Sequence, residues 1–281
     1  NYYTQILCNP YYTAYFTVPN KNRENILDVL LCGKEKTYCF NDEAFDLMKT
    51  FNVSQTWIDK LSYFKNKIFS DNEMRRKLDC VFLLNGYKTI KKKVLEACVI
   101  AAYHQSTDIP VVTTLLSDDA RQFRQIAYHH ALCWIHDGRN YKKLRPIVPY
   151  NKEKLKAFLD SYWNFYGELC KFRIEPDSEV AEQLSVKFDQ LFSTKTGYEQ
   201  LDERIAKTKE NKEQLLKVLV LPEVPLHNNA AELAARAKVR KRDVSLQTIT
   251  EEGTKANDTF MTIVQTAKKL GVSAYNYIFD R

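Results

Sequence analysis

The spacing of apolar and polar positions changes period several times along this chain, and each change predicts an element. Residues 2–7 (YYTQIL) and 11–18 (YYTAYFTV) are dense in aromatic and β-branched side chains. The Cys8-Asn9-Pro10 step between them is turn-forming, so the pair predicts a β-hairpin. Over 23–31, Ile26, Leu27, Leu30 and Leu31 fall at helical spacing. From 41 to about 104 the pattern stays mostly helical. Asn41-Asp42-Glu43 reads as a capped start, Phe45, Met48, Trp57, Leu61, Phe64 and Ile68 mark apolar stripes, and 88–103 is a further helix.

The period then shortens. Residues 111–116 (VVTTLL) suit a short buried strand that ends abruptly at Ser117-Asp118-Asp119. A short helix is expected over 119–127 and a second buried strand over 131–135 (ALCWI). From 151 to about 220 the chain is helical and highly charged, punctuated by Pro176 and Gly197. Beyond Pro222 and Pro225, helices are expected over 228 to about 238, over 254–270 and near 273–279. Short strands with helices around and between them predict an α/β core carrying large helical insertions. The expected division is 1–150 (with a helical insertion at about 41–104), a helical insertion at 151–222, and closing helices at 223–281.

Composition narrows the function classes. Seven Gly and eight Pro in 281 residues argue against linker-rich or disordered chains and for helix. A net charge of +7 suits a polyanionic partner without identifying one. The seven Cys form no C-x-x-C pair, which predicts reduced thiols in a cytoplasmic protein. No apolar run reaches the roughly 18 residues of a membrane span, and no signal peptide is visible. Because the sequence opens on Asn1 and enters a strand at once, a fragment is expected.

Two acids stand out. Asp118 follows the predicted strand 111–116 directly, and a carboxylate at the carboxyl end of a buried strand faces the crevice where α/β sheets hold ligands. Glu232 lies in NNAAELAAR (228–236), where Asn228, Glu232 and Arg236 share one helix face and the alanines let the helix lie close to a sheet. The plainer readings are an N-cap for Asp118 and a capping box from Asn229 to Glu232. Cys133-x-x-His136, with His129 and His130 nearby, lacks the second ligand pair of a zinc site.

LLSDDARQF (115–123) resembles the second-acid block of DDE transposases, and ALCWIHDGRNYKKLRP (131–146) the block after it. LPEVPLHNNAAELAAR (221–236) resembles the third-acid block of transposases of the insertion sequence sixty-six type, in which two Asn precede the Glu. The tail TAKKLGVSAYNYIFDR and the early CNPYYTAYFT are similar to the same family's end and to the strand pair after its first acid. The resemblance implies an RNase H-like mixed sheet flanked by helices, with three carboxylates around two Mg²⁺ ions (Mn²⁺ being the alternative). It also implies cleavage and strand transfer at transposon ends, by a protein that assembles on DNA as a homo-oligomer. On it, Asp118 and Glu232 are catalytic metal ligands, and Asp119, His136, Arg139, Asn228, Asn229 and Arg236 are their neighbours. Lys238, Arg240, Lys241 and Arg242 are candidates to grip DNA phosphates. The first acid of the trio belongs on a strand before the hairpin. Asp28, the only Asp in the first forty residues, sits on a predicted helix and does not qualify. Residues 1–281 alone are therefore expected to bind metal weakly and cleave poorly. Two other readings stay open: a transposase remnant that binds DNA without cutting, and an unrelated helical interaction protein in which both acids are caps.

Overall fold

The computed structural model describes residues 2–82, 87–246 and 248–280. The chain opens with β1 (Tyr3–Cys8), β2 (Thr13–Val18), α1 (Arg23–Leu30), β3 (Thr37–Cys39), α2 (Asp42–Thr50), α3 (Gln55–Leu61), β4 (Ile68–Ser70), α4 (Asp71–Phe82) and α5 (Lys88–His104). It continues with β5 (Thr114–Ser117), β6 (His129–Leu132), α6 (Trp134–Lys142), α7 (Pro149–Ile174), α8 (Ser178–Leu191), α9 (Glu199–Glu210) and α10 (Lys212–Leu215). It closes with α11 (Asn229–Ser245), α12 (Glu251–Leu270) and α13 (Ala274–Phe279). Strands pair as three two-stranded ladders: β1–β2 and β3–β4 antiparallel, β5–β6 parallel. The α/β class expected from the sequence holds. One continuous mixed sheet is not formed among the described residues. The chain divides into two compact units, 1–112 with 229–281, and 113–228.

In the first unit the free edge of β2 is closed by side chains of one helix. The backbone N–H of Thr17 donates to Asp258 Oδ2 (2.6 Å), that of Tyr15 to Thr262 Oγ1 (3.0 Å), and that of Thr13 to Thr266 Oγ1 (3.1 Å). Steps of four along α12 rise about 6.0 Å, and steps of two along an antiparallel strand about 6.8 Å. The two repeats therefore stay in step over three rungs. Thr266 also donates back to the Thr13 carbonyl, and Lys269 Nζ reaches the carbonyls of Asn9 and Tyr12 at the hairpin turn. An edge satisfied this way offers no template for stray pairing. Tyr15 and Met261 pack with Ala234 of α11, and the Tyr15 hydroxyl donates to the Ala234 carbonyl at 2.9 Å. Burial pushes the Tyr15 phenol up to about 12, so it stays a donor at ordinary pH. The alanines of α11 thus do what their size predicts and bring the Glu232 helix close to the hairpin.

The rest of the first unit is built round α5, whose stretch from Val94 to Ala101 is buried on all sides. A buried Arg23–Glu96 pair at 2.5 Å ties α1 to it. Asn22 and Asn41 cap α1 and α2 through their side-chain oxygens, as the sequence predicts at Asn41.

The second unit centres on Trp134, fully buried among Tyr162, Phe165, Phe188 and Phe192. Its indole N–H donates to the Leu215 carbonyl at 2.8 Å, and its backbone N–H to Leu226 at 3.0 Å. Gly138 lets α6 lie against α7, because a Cβ there would come within 2.7 Å of the Trp163 ring.

Several local expectations need correction. Ile68, read as part of a helical stripe, lies in β4, because β3 and β4 pair over only three residues each, too short to show a period of two. The strand expected at 111–116 is β5, three residues later at its start. Residues 119–127 hold only a 3-10 turn at Arg121–Phe123. The strand expected at 131–135 stops at Leu132, and Trp134 opens a helix. The apolar run continues across that boundary because strand and helix feed the same core, which hides the change of period.

Thr262→Val keeps the shape of the side chain and leaves the Tyr15 N–H without its acceptor. It is expected to cost about 1–3 kcal/mol, read as a lower urea midpoint at unchanged slope, while Thr259→Val on the exposed face of α12 shifts nothing.

Candidate functional site

Asp118 stands one residue beyond β5, where the parallel pair β5–β6 ends, half-buried. Its Oδ1 accepts from the Ala120 N–H at 3.2 Å, a turn that bends the chain away from the strand. Beneath it, Ser117 is buried and its hydroxyl donates to the Asp118 carbonyl at 2.6 Å. A hydroxyl has one proton, so its 2.8 Å contact with His130 Nε2 is donated by the imidazole. Burial holds His130 below its ordinary value, with the Arg124 charge acting the same way and Asp119 and Asp118 opposing. His130 therefore supports the Asp118 loop as a neutral donor.

Asp119, the neighbour and rival of Asp118, is exposed and already engaged. Arg124 meets its Oδ1 at 2.5 Å, and Asn211, at the end of α9, donates to its Oδ2 at 3.2 Å. Asp118 makes no ion pair among the described residues. The two adjacent carboxylates thus separate into one that is paired and one that is not, and both line a pocket of about 300 Å³. That pocket is lined by Asp118, His136, Arg139, Asn140, Lys143 and Asn211 among others.

α6 supplies His136, Arg139, Asn140 and Lys143 to the pocket wall and rim, and it is held by a residue that sequence reasoning missed. Asp137, on the same helix, is buried and also lines the pocket. Arg204 of α9 pairs with Asp137 Oδ1, Thr208 Oγ1 lies 3.0 Å from Oδ2, and the Tyr162 hydroxyl 3.1 Å from the same oxygen. Tyr141 closes the network on Thr208 at 2.6 Å. Desolvation raises the Asp137 carboxyl above its usual range, and Arg204, Thr208 and Tyr162 offset this only in part. The signal was present in sequence only as Asp137 sitting between His136 and Arg139. Its partners lie 25 residues away at Tyr162 and 67 and 71 away at Arg204 and Thr208, where no local pattern points back to it.

The remaining candidates fall on or beside α11. Asn228 precedes the helix, half-buried, and its Oδ1 is buried with no hydrogen-bond partner among the described residues, as is Nδ1 of His227. Sequence reasoning passed over His227. Asn229 is the first helical residue, one position inside the capping-box register expected for it. Glu232 is half-buried in the first turn and Arg236 exposed in the next. Asp118 belongs to the second unit and Glu232 to the first. Lys238 pairs with Asp258 at 2.6 Å and so completes the closure of the β2 edge, while Arg240, Lys241 and Arg242 are exposed. Among the described residues no group of three or more His, Cys, Asp or Glu forms a metal-binding cluster. None of the seven cysteines is disulfide-bonded, and Cys32 and Cys80 are exposed.

The model of the Transposase IS66 family matches residues 106–256, more than half of the chain, from before β5 into α12. The chain belongs to the IS66 transposase family. It is also 32% identical, over 281 residues, to the uncharacterized protein y4jO of Sinorhizobium fredii (strain NBRC 101917 / NGR234), an alignment that covers all of this chain and 87% of that protein. No solved structure matches. The family match contains both Asp118 and Glu232 together with the Asp137 network of the second unit. Among the described residues of this family member, no helix is long and apolar enough to cross a membrane.

Because the folded-state value of His130 lies below 6.5, the unfolded chain takes up its proton first as pH falls. His130 thus contributes stability that is present above pH 6.5 and lost as pH drops toward the depressed value. The stability difference between wild type and His130→Gln in urea unfolding is expected to shrink from pH 7.5 to about pH 5. A difference independent of pH contradicts the neutral-donor assignment.

Proposed function

We propose that the chain carries the catalytic core of an IS66-family transposase, in which Asp118 and Glu232 hold divalent cations for cleaving and rejoining DNA at transposon ends. One observation carries the reading. Two adjacent acids at the end of a parallel strand pair line a pocket bordered by Arg139 and Lys143, and of the two Asp119 is tied down by Arg124 and Asn211 while Asp118 makes no ion pair among the described residues. A carboxylate beside guanidinium and ammonium groups suits a site that receives both a cation and a phosphodiester.

In this reading the core is RNase H-like, and α11 is the helix that carries the last acid. The donor chemistry fits Mg²⁺ or Mn²⁺: Asp118 and Glu232 offer carboxylate oxygens, and the buried Oδ1 of Asn228 is an orphaned oxygen donor just before the Glu232 helix. Such ions, when bound, supply activation of the attacking oxygen and neutralisation of the leaving one. The protein's own groups do the rest. Arg139 and Lys143 draw a phosphate to the pocket, and Asn140 restrains Lys143 through a 2.9 Å hydrogen bond. Ser117 and His130 keep the Asp118 backbone in place, and the Asp137–Arg204 pair fixes the orientation of the α6 wall. Exposed Arg240, Lys241 and Arg242 add phosphate contacts that carry affinity and no sequence information.

In an excision assay with the transposase in its natural full length, Asp118→Asn and Glu232→Gln are each expected to abolish Mg²⁺-dependent end cleavage while DNA binding in EDTA persists. Asp119→Asn, which acts through the loop, is expected to lose roughly 10–100-fold. Activity surviving in Asp118→Asn but lost in Asp119→Asn reverses the assignment. Indifference to all three leaves a DNA-binding protein that does not cut.

A further inference from the structure

The segment 57–68 in the first unit, from within α3 to the start of β4, lies outside the matched family region and outside the pocket. It carries Tyr63 with 76% of its surface exposed and Ile68 with 67%, on a segment that also holds Trp57, Phe64, Lys60, Lys65 and Lys67. Lys67 Nζ lies 4.2 Å above the Tyr63 ring, and Lys60 Nζ 4.5 Å above the Trp57 ring. Neither lysine meets a carboxylate among the described residues. The nearby acids are already occupied, Asp42 by Lys65 at 2.7 Å and Asp59 by Gln55 at 2.7 Å.

The exposed ring is held in place. Tyr63 sits edge-to-face on Phe64 at 5.5 Å, and Phe64 is buried against Phe40 and Phe69. The turn itself is locked to Phe40 by two backbone hydrogen bonds, Asn66 N–H to the Phe40 carbonyl at 2.8 Å and Phe40 N–H to the Lys67 carbonyl at 3.0 Å. Asn66 takes the left-handed conformation that lets the chain reverse there. An exposed aromatic face with one ammonium group over it, on a segment that holds a second ammonium over the Trp57 ring, has the elements of a single-strand platform, in which bases stack on rings and the backbone follows lysines. A lysine over an exposed ring is weakly held. A base can therefore take the ring while the ammonium swings to the phosphate beside it.

We propose that the Trp57–Tyr63–Lys67 surface is a second DNA contact, taking an unpaired base on the Tyr63 ring and its flanking phosphates on Lys60 and Lys67. The inference rests on the DNA-processing reading above and extends it to a place where strands are open.

The test is anisotropy of a labelled oligo-dT bound by the full chain in EDTA, so that the metal site is not read. Tyr63→Ala is expected to weaken binding about tenfold, and Tyr63→Phe, which keeps the ring, to bind as wild type. Lys60→Ala with Lys67→Ala is expected to lower the slope of log K against log salt by about 1.4, while Lys49→Ala with Lys77→Ala leaves it unchanged. Equal binding by Tyr63→Ala and wild type overturns the platform, as does an equal loss in the Phe variant or in the lysine control. If wild type binds neither oligo-dT nor duplex, the DNA reading itself falls. If it binds duplex and Tyr63→Ala matches it on both, the platform alone does.

Discussion

The carboxylate of Asp137 is the constraint on which the second unit depends. Its side chain is 8% exposed, and a charge taken that far from water survives only with a charged partner and further hydrogen bonds. Arg204, Thr208 and Tyr162 provide them from α9 and α7. The arrangement adds little net stability, since such pairs roughly break even against an apolar core. Breaking it is another matter, because a buried charge left alone costs about 3–5 kcal/mol. The pair therefore acts as a register pin. α6 has one rotation that satisfies Asp137, and that rotation turns Arg139, Asn140 and Lys143 toward the pocket that Asp118 faces. The helical insertion, which by composition looks like a charged decoration, is what holds the pocket wall.

A second constraint, independent of the first, orders the other unit. The outer edge of β2 would be a liability if left open, and α12 closes it with Asp258, Thr262 and Thr266. Asp258 also receives Lys238 from α11, so the same device that closes the strand fixes the helix bearing Glu232. Both units thus bring a carboxylate on an element held by buried polar contacts, and such contacts position more sharply than apolar packing does.

Much of this was legible in the sequence. The aromatic hairpin, the cap at Asn41, the helices divided at Pro176 and Gly197, and the alanine face of α11 all follow from local chemistry. So did the pairing of Asp118 with a strand end and of Glu232 with a helix. What was hidden depends on distant partners. Lys238, read as a phosphate contact, faces Asp258, and nothing within α11 announces that. Asp137 reads as one more polar residue until Arg204 is beside it. Trp134 was placed in a strand because a buried strand and a buried helix look alike over five residues. Trp57 was read as core and is half-buried, with Lys60 over its ring.

The central claim is that Asp118 and Glu232, remote in sequence, share divalent cations. It is tested most directly by replacing Mg²⁺ with Fe²⁺ and generating hydroxyl radicals, which cut the backbone beside the ligands of the bound ion. The account predicts cuts next to both Asp118 and Glu232, suppressed by excess Mg²⁺ and lost together in Asp118→Asn. Cuts beside only one of the two, or a pattern that Asp118→Asn leaves unchanged, contradict it.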